Sequence, residues 1–166
     1  MADDLAELLE ANRLLAATFG TGELQRRPRR EVAILTCLDA RVAPEWIFGL
    51  DPGEANVLRN AGGRVTSDVI RSLVVSGWLL GTRTFLVIHH TDCGLQADSD
   101  DAVRRAVVDL GGDPAGIALH SFEDLEQSVR EDVAALRAAA ALPPDADVRG
   151  FVYDVRTGVL APVAPA

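Results

Sequence analysis

Cysteine and histidine are scarce in this chain: two cysteines and three histidines among 166 residues. Four of the five fall in two short stretches. An apolar run, Phe85 to Ile88, stops at His89-His90-Thr91-Asp92-Cys93-Gly94, and an earlier run, Ala33 to Thr36, opens into Cys37-Leu38-Asp39-Ala40-Arg41. Each cysteine thus sits just past a strand-like segment. If the two strands lie side by side, the Cys37 and Cys93 thiolates and the His90 imidazole converge. Two sulfurs and one nitrogen make a three-ligand Zn²⁺ site with one position open, the pattern of catalytic zinc. Two thiolates also neutralise the dication, so the acidity of a water there depends more on the surrounding donors. The competing readings are a disulfide and two inert buried thiols.

Asp39 and Arg41 follow Cys37 closely. Arg41 can hold Asp39 through a two-pronged contact. A carboxylate so held can accept a hydrogen bond from a water on the metal. Released, it could ligate the metal and shut the site. The plain alternative is a surface ion pair of small value. Asn60-Ala61-Gly62-Gly63 leads towards a helix start, and bare N–H groups there suit an anion such as bicarbonate; an ordinary glycine turn is the other reading. Asn60, Gly62 and Gly63 are therefore candidate substrate contacts. His89 points to the opposite face from His90 if the strand continues, and is a weak candidate for a proton shuttle. His120 is expected to be exposed, and Asp92 to cap or turn.

The elements that must position these residues follow from patterning. Residues 3–18 read as an amphipathic helix carrying Leu5, Leu8, Leu9 and Leu15, ended by Gly20-Thr21-Gly22, with a solvated arginine-rich linker behind it. Strands are expected at 31–36, 55–58 and 84–88, and a short helical turn at 44–49. A helix capped at Thr66 or Ser67 runs to Leu80; being apolar nearly all round, it should be heavily buried. Further helices are expected at 99–110 and, capped by Ser121, at about 122–140. Segments 149–155 and 159–163 read as a terminal β-hairpin. Alternating strands and helices give one α/β domain, 1–166. It is three-layered, with a mostly parallel central sheet flanked by helices, the hairpin at the edge, and residues 1–25 as a helical arm and linker. Ligands in such sheets bind beyond the carboxyl ends of the strands, which is where loops 37–43, 59–65 and 89–95 fall.

Composition excludes several functions. The formal charge of −9 argues against nucleic acid and anionic membrane as partners. All sixteen basic residues are arginine, so a lysine Schiff base and a P-loop are ruled out. No apolar run reaches the ~20 residues a membrane helix needs. The start, Met1-Ala2-Asp3-Asp4, is acidic where a signal peptide is basic, so a cytoplasmic protein with reduced thiols is expected.

Cys37-Leu38-Asp39-Ala40-Arg41 with His90-Thr91-Asp92-Cys93-Gly94, and Arg59-Asn60-Ala61-Gly62 between them, resembles the β-class carbonic anhydrases, whose pattern is C-x-D-x-R followed by H-x-x-C. The likeness is closest over residues 31–95 and to the short bacterial branch. It implies that Cys37, His90 and Cys93 hold one Zn²⁺ per chain and that Asp39 and Arg41 gate the fourth position. It implies reversible hydration of CO₂ to bicarbonate through a zinc-bound hydroxide. It also implies a homodimer or dimer of dimers with the pocket at the subunit interface. Relatives of this fold hydrolyse COS or CS₂ on the same ligands, which is the alternative activity; a zinc-binding regulatory protein without catalysis is the third reading.

Overall fold

The computed structural model describes residues 2–20 and 24–164. Five strands form one sheet in the order β2-β1-β3-β4-β5. They are β1 (Val32–Cys37), β2 (Ala55–Asn60), β3 (Thr84–His90), β4 (Asp147–Tyr153) and β5 (Leu160–Val163). The first four are mutually parallel and β5 returns antiparallel to β4. The terminal hairpin is therefore also the continuation of the parallel sheet, since β4 pairs with β3 from Thr84↔Asp147 to His90↔Tyr153. The helices are α1 (Ala2–Ala17), α2 (Pro44–Phe48), α3 (Ser67–Leu79), α4 (Asp100–Asp109) and α5 (Leu125–Ala138). A 3₁₀ turn, Ala61–Gly63, follows β2. Thr21 and Gly22 of the expected helix stop lie outside the described residues.

Strand alternation divides the core. Ala33, Leu35, Phe85, Val87 and Val148 face α3 and α5, meeting Leu73, Val129, Val133 and Leu136. Ile34, Ile88 and Tyr153 face the other way, against Val42 and the α2 region. The approach of α5 is close: a Cβ at Gly150 would lie 2.4 Å from Val129 Cγ1, so only glycine fits there.

Two expectations need correction. The first is α3, which buries Val69, Leu73, Ser76 and Gly77 but leaves Val75, Trp78 and Leu79 exposed. One helical stripe meets the sheet, and the residues a turn away have no cover in the monomer. The second is the start of α5. It is capped by Asp124, whose side chain accepts from Gln127 N at 2.9 Å. Ser121 is instead taken by Asp100, which accepts from its N–H at 2.7 Å and its hydroxyl at 2.8 Å. Both are good cap residues; the one already engaged cannot serve.

Candidate metal centre

β3 runs on through both histidines, so consecutive side chains leave on opposite faces. His90 and the two cysteines meet beyond the carboxyl ends of β1 and β3. The His90 nitrogen and both sulfurs lie within 4.8 Å of one another. Cys37 Sγ and Cys93 Sγ are 4.0 Å apart. That is twice a disulfide bond, and close to the ~3.8 Å between two sulfurs on one tetrahedral zinc with bonds of about 2.3 Å. Both cysteines are free and buried.

His90 is presented for ligation. Its Nδ1 lies 2.9 Å from the Thr91 carbonyl oxygen, which can only accept, so Nδ1 carries the proton. That leaves the Nε2 lone pair bare, and this fully buried atom has no hydrogen-bond partner. An orphaned buried nitrogen beside two sulfurs at this spacing fits a zinc ion.

The sulfurs differ before any metal arrives. The hydrogen bond from Cys93 is the main reason Cys37 is held far below the usual thiol range; His90 and the Asp39 and Gly62 backbone N–H groups add to it against burial. The same sharing, with burial, pushes Cys93 up. Burial pulls His90 down, but the nearby Cys37 sulfur and the Thr91 carbonyl outweigh that and the net shift is upward. A proton shared between the two sulfurs favours ionisation at Cys37 and opposes it at Cys93.

Asp39 Oδ2 lies 4.0 Å from His90 Nε2. Arg41 grips both its oxygens, Nε to Oδ1 at 3.0 Å and Nη2 to Oδ2 at 2.7 Å, and the Arg41 backbone N–H adds a third bond at 2.9 Å. These bonds hold Asp39 well below the ordinary carboxylate range. It stays ionised and can only accept.

The glycine turn lies against the same loop. Gly63 has φ +69°, and a Cβ there would sit 3.0 Å from Cys37 N and Thr36 C. Gly62 turns its N–H to the Cys37 sulfur. Asn60 Nδ2 donates to the Arg64 carbonyl at 2.7 Å, while its Oδ1 is buried without a partner.

Three contributors had no role in the site assigned from sequence, Asp92 being expected only to cap or turn. Arg59 donates to the Cys37 carbonyl at 3.0 Å and to the Asp39 carbonyl at 2.6 Å, fixing the loop that carries both. Phe122 packs with Leu95 and Leu125 against the two cysteines, an apolar wall from a distant segment. Asp92 joins Arg41 from the β3 side. A motif flanking β2 gives a weak signal for Arg59; nothing in the pattern around Phe122 marks it. His120 is exposed as expected. His89 is buried on the α5 face, its Nδ1 2.8 Å from Ser128 Oγ.

Known proteins resemble this chain in sequence and fold. A carbonic anhydrase family model matches residues 32–137. β-Carbonic anhydrase 1 of Mycobacterium tuberculosis is 40% identical over 155 residues, covering 93% of this chain and 95% of that protein. The crystal structure of carbonic anhydrase from Streptococcus mutans superposes with a TM-score of 0.88 at 42% identity, covering 96% of this chain and 97% of that one. A carbon disulfide hydrolase of an Acidianus strain is 31% identical, covering 77% of this chain and 74% of that protein. On the strength of this family match, the close relatives and the shared fold, the chain belongs to the β-carbonic anhydrase family.

Proposed function

We propose that the protein catalyses the reversible hydration of CO₂ to bicarbonate and a proton, with Cys37, His90 and Cys93 as the zinc ligands and Asp39 and Arg41 as the catalytic pair. The observation that carries this is the convergence of two sulfurs and a bare imidazole nitrogen, with an ionised carboxylate 4.0 Å from that nitrogen. Zinc held there supplies a Lewis acid that makes water acidic enough to yield a nucleophile near neutral pH.

The remaining work falls to side chains. Asp39 can only accept, so it selects an O–H: that of incoming water in one direction and that of bicarbonate in the other. Arg41 keeps Asp39 turned for this and away from the donor triad. The Thr91 carbonyl fixes the His90 ring, and Arg59 fixes the loop bearing Cys37 and Asp39. Leu95, Phe122 and Leu125 offer an apolar surface suited to uncharged CO₂. The turn Asn60, Gly62 and Gly63 borders the substrate side. Asn60 Oδ1 is its free acceptor, and the Gly62 N–H supports the Cys37 thiolate.

The working unit is a homodimer or a dimer of dimers, each chain a single domain over 1–166 with 1–25 as an arm. In support, α1 exposes Leu5, Leu8, Leu9 and Leu15, and α3 exposes Val75, Trp78 and Leu79. A lone helix with an uncovered leucine face is marginal in water, and a second copy offers an apolar face to cover it. Free site thiols suit a reducing cytoplasm. Among the described residues, no helix is long and apolar enough to cross a membrane.

Stopped-flow CO₂ hydration on zinc-loaded protein, with COS and CS₂ turnover measured on the same sample, tests the reading. CO₂ hydration well above buffer and little turnover of the sulfur substrates is expected. A zinc-loaded protein that hydrates CO₂ no faster than buffer contradicts it, and preferential CS₂ turnover assigns the other activity.

A further inference from the structure

Asp92 has a left-handed backbone, φ +58°, as a turn residue should. Glycine or asparagine would hold that conformation equally well. The carboxylate has a separate use. Arg41 Nη1 donates to Asp92 Oδ2 at 2.7 Å, and Arg41 Nη2 donates to the Asp92 carbonyl at 2.9 Å. The other edge of the same guanidinium holds Asp39. One arginine therefore ties the loop after β1 to the loop after β3, with a two-pronged grip at each end.

We infer that Asp92 is a positioning residue: by gripping the far edge of Arg41, it fixes the orientation in which Arg41 presents Asp39 beside His90. The inference rests on the hydration reading of the site. An exposed arginine paired only to a carboxylate two residues away is loosely determined, because such pairs gain under about 1 kcal/mol and must offset side-chain entropy. A second anchor on another strand removes that freedom. Asp92 does not compete for the guanidinium, since both Asp39 contacts stay at 3.0 Å or less while Asp92 is engaged. Without the anchor, Arg41 and Asp39 can turn together, and Asp39 Oδ2 is already only 4.0 Å from His90 Nε2. The consequence is a carboxylate that drifts into the corner the substrate needs.

Two substitutions separate side chain from backbone. Asp92→Gly removes the anchor and relaxes the left-handed backbone, so folding is spared. Asp92→Asn keeps the backbone tolerance and an oxygen acceptor without the charge. Each is made alone and together with Arg41→Ala, a double-mutant cycle. Asp92→Gly should lower kcat/KM for CO₂ about tenfold, the scale of groups that orient a metal site from outside. Asp92→Asn should lower it less, and zinc content and Tm should stay at wild-type values. In the Arg41→Ala background, Asp92→Gly should add nothing. The visible spectrum of the cobalt-substituted protein should change with Asp92→Gly, and not further when Arg41 is already alanine. Wild-type kcat/KM in Asp92→Gly, or the same tenfold loss in both backgrounds, overturns the inference. If the wild-type protein fails to hydrate CO₂, the hydration reading falls. The cobalt spectra then decide the clamp alone: unchanged bands in Asp92→Gly refute it.

Discussion

His89 and His90 are adjacent on one strand, and both are 0% exposed. Their surroundings differ entirely. His89 faces α5, with Ser128 Oγ 2.8 Å from Nδ1 and Asp132 Oδ2 3.1 Å from Nε2, close but off the hydrogen-bond axis. Arg64 Nε lies 2.9 Å from the same Asp132 oxygen. His90 has one nitrogen on a carbonyl and the other aimed at two sulfurs. Burying a polar ring costs free energy unless its nitrogens find partners. On the His89 side the protein supplies charged neighbours; on the His90 side it leaves a nitrogen for a metal. The same residue type is structural on one face and chemical on the other, and its neighbours decide which.

Breaking the His90 side should have the largest effect on activity. Cys37→Ser or His90→Ala should abolish zinc binding and bring CO₂ hydration to the buffer rate, as read by metal analysis and stopped flow. Asp39→Asn should sharpen the contrast within that side: roughly a hundredfold loss of kcat/KM with zinc content unchanged. If zinc were lost too, Asp39 would be a ligand rather than a gate.

Breaking the His89 side should move stability instead. Asp132→Ala leaves Arg64 and His89 without their buried carboxylate, which should cost about 3 kcal/mol in chemical denaturation. Protein that remains folded should bind zinc normally; zinc loss there would merge the two faces into one network. A smaller effect concerns pH. Cys93 and His90 both have raised proton affinity in the metal-free protein, and both must release protons to ligate. Zinc affinity should therefore fall as pH drops from 8 to 6 in a chelator competition. The lowered Cys37 is already ionised and adds nothing over that range. Last, His120→Asn should leave activity within about twofold, since an exposed histidine outside the Cys37–His90–Cys93 donor group does neither job.

What the sequence revealed follows from range. Strand-length apolar runs ending in rare residues marked β1, β3 and the Cys37, His90 and Cys93 donors without any alignment. Asp39 and Arg41 were readable because their partners are near in the chain. Arg59, Phe122 and the Asp132–His89 pair were not, because each depends on which distant segment is laid alongside. The exposure of Val75, Trp78 and Leu79 on α3 has a related cause: an apolar composition says that a face needs cover, not that its own chain provides it. The start of α5 turned on Asp100, the first residue of the preceding helix α4, engaging Ser121 first.

Zinc-edge X-ray absorption on the loaded protein tests the central claim most directly. The arrangement predicts two sulfurs at about 2.3 Å and one or two nitrogen or oxygen neighbours at about 2.0 Å, with one sulfur lost in Cys37→Ser or Cys93→Ser. A zinc shell without sulfur, or a Cys37–Cys93 disulfide in the active protein, would contradict it.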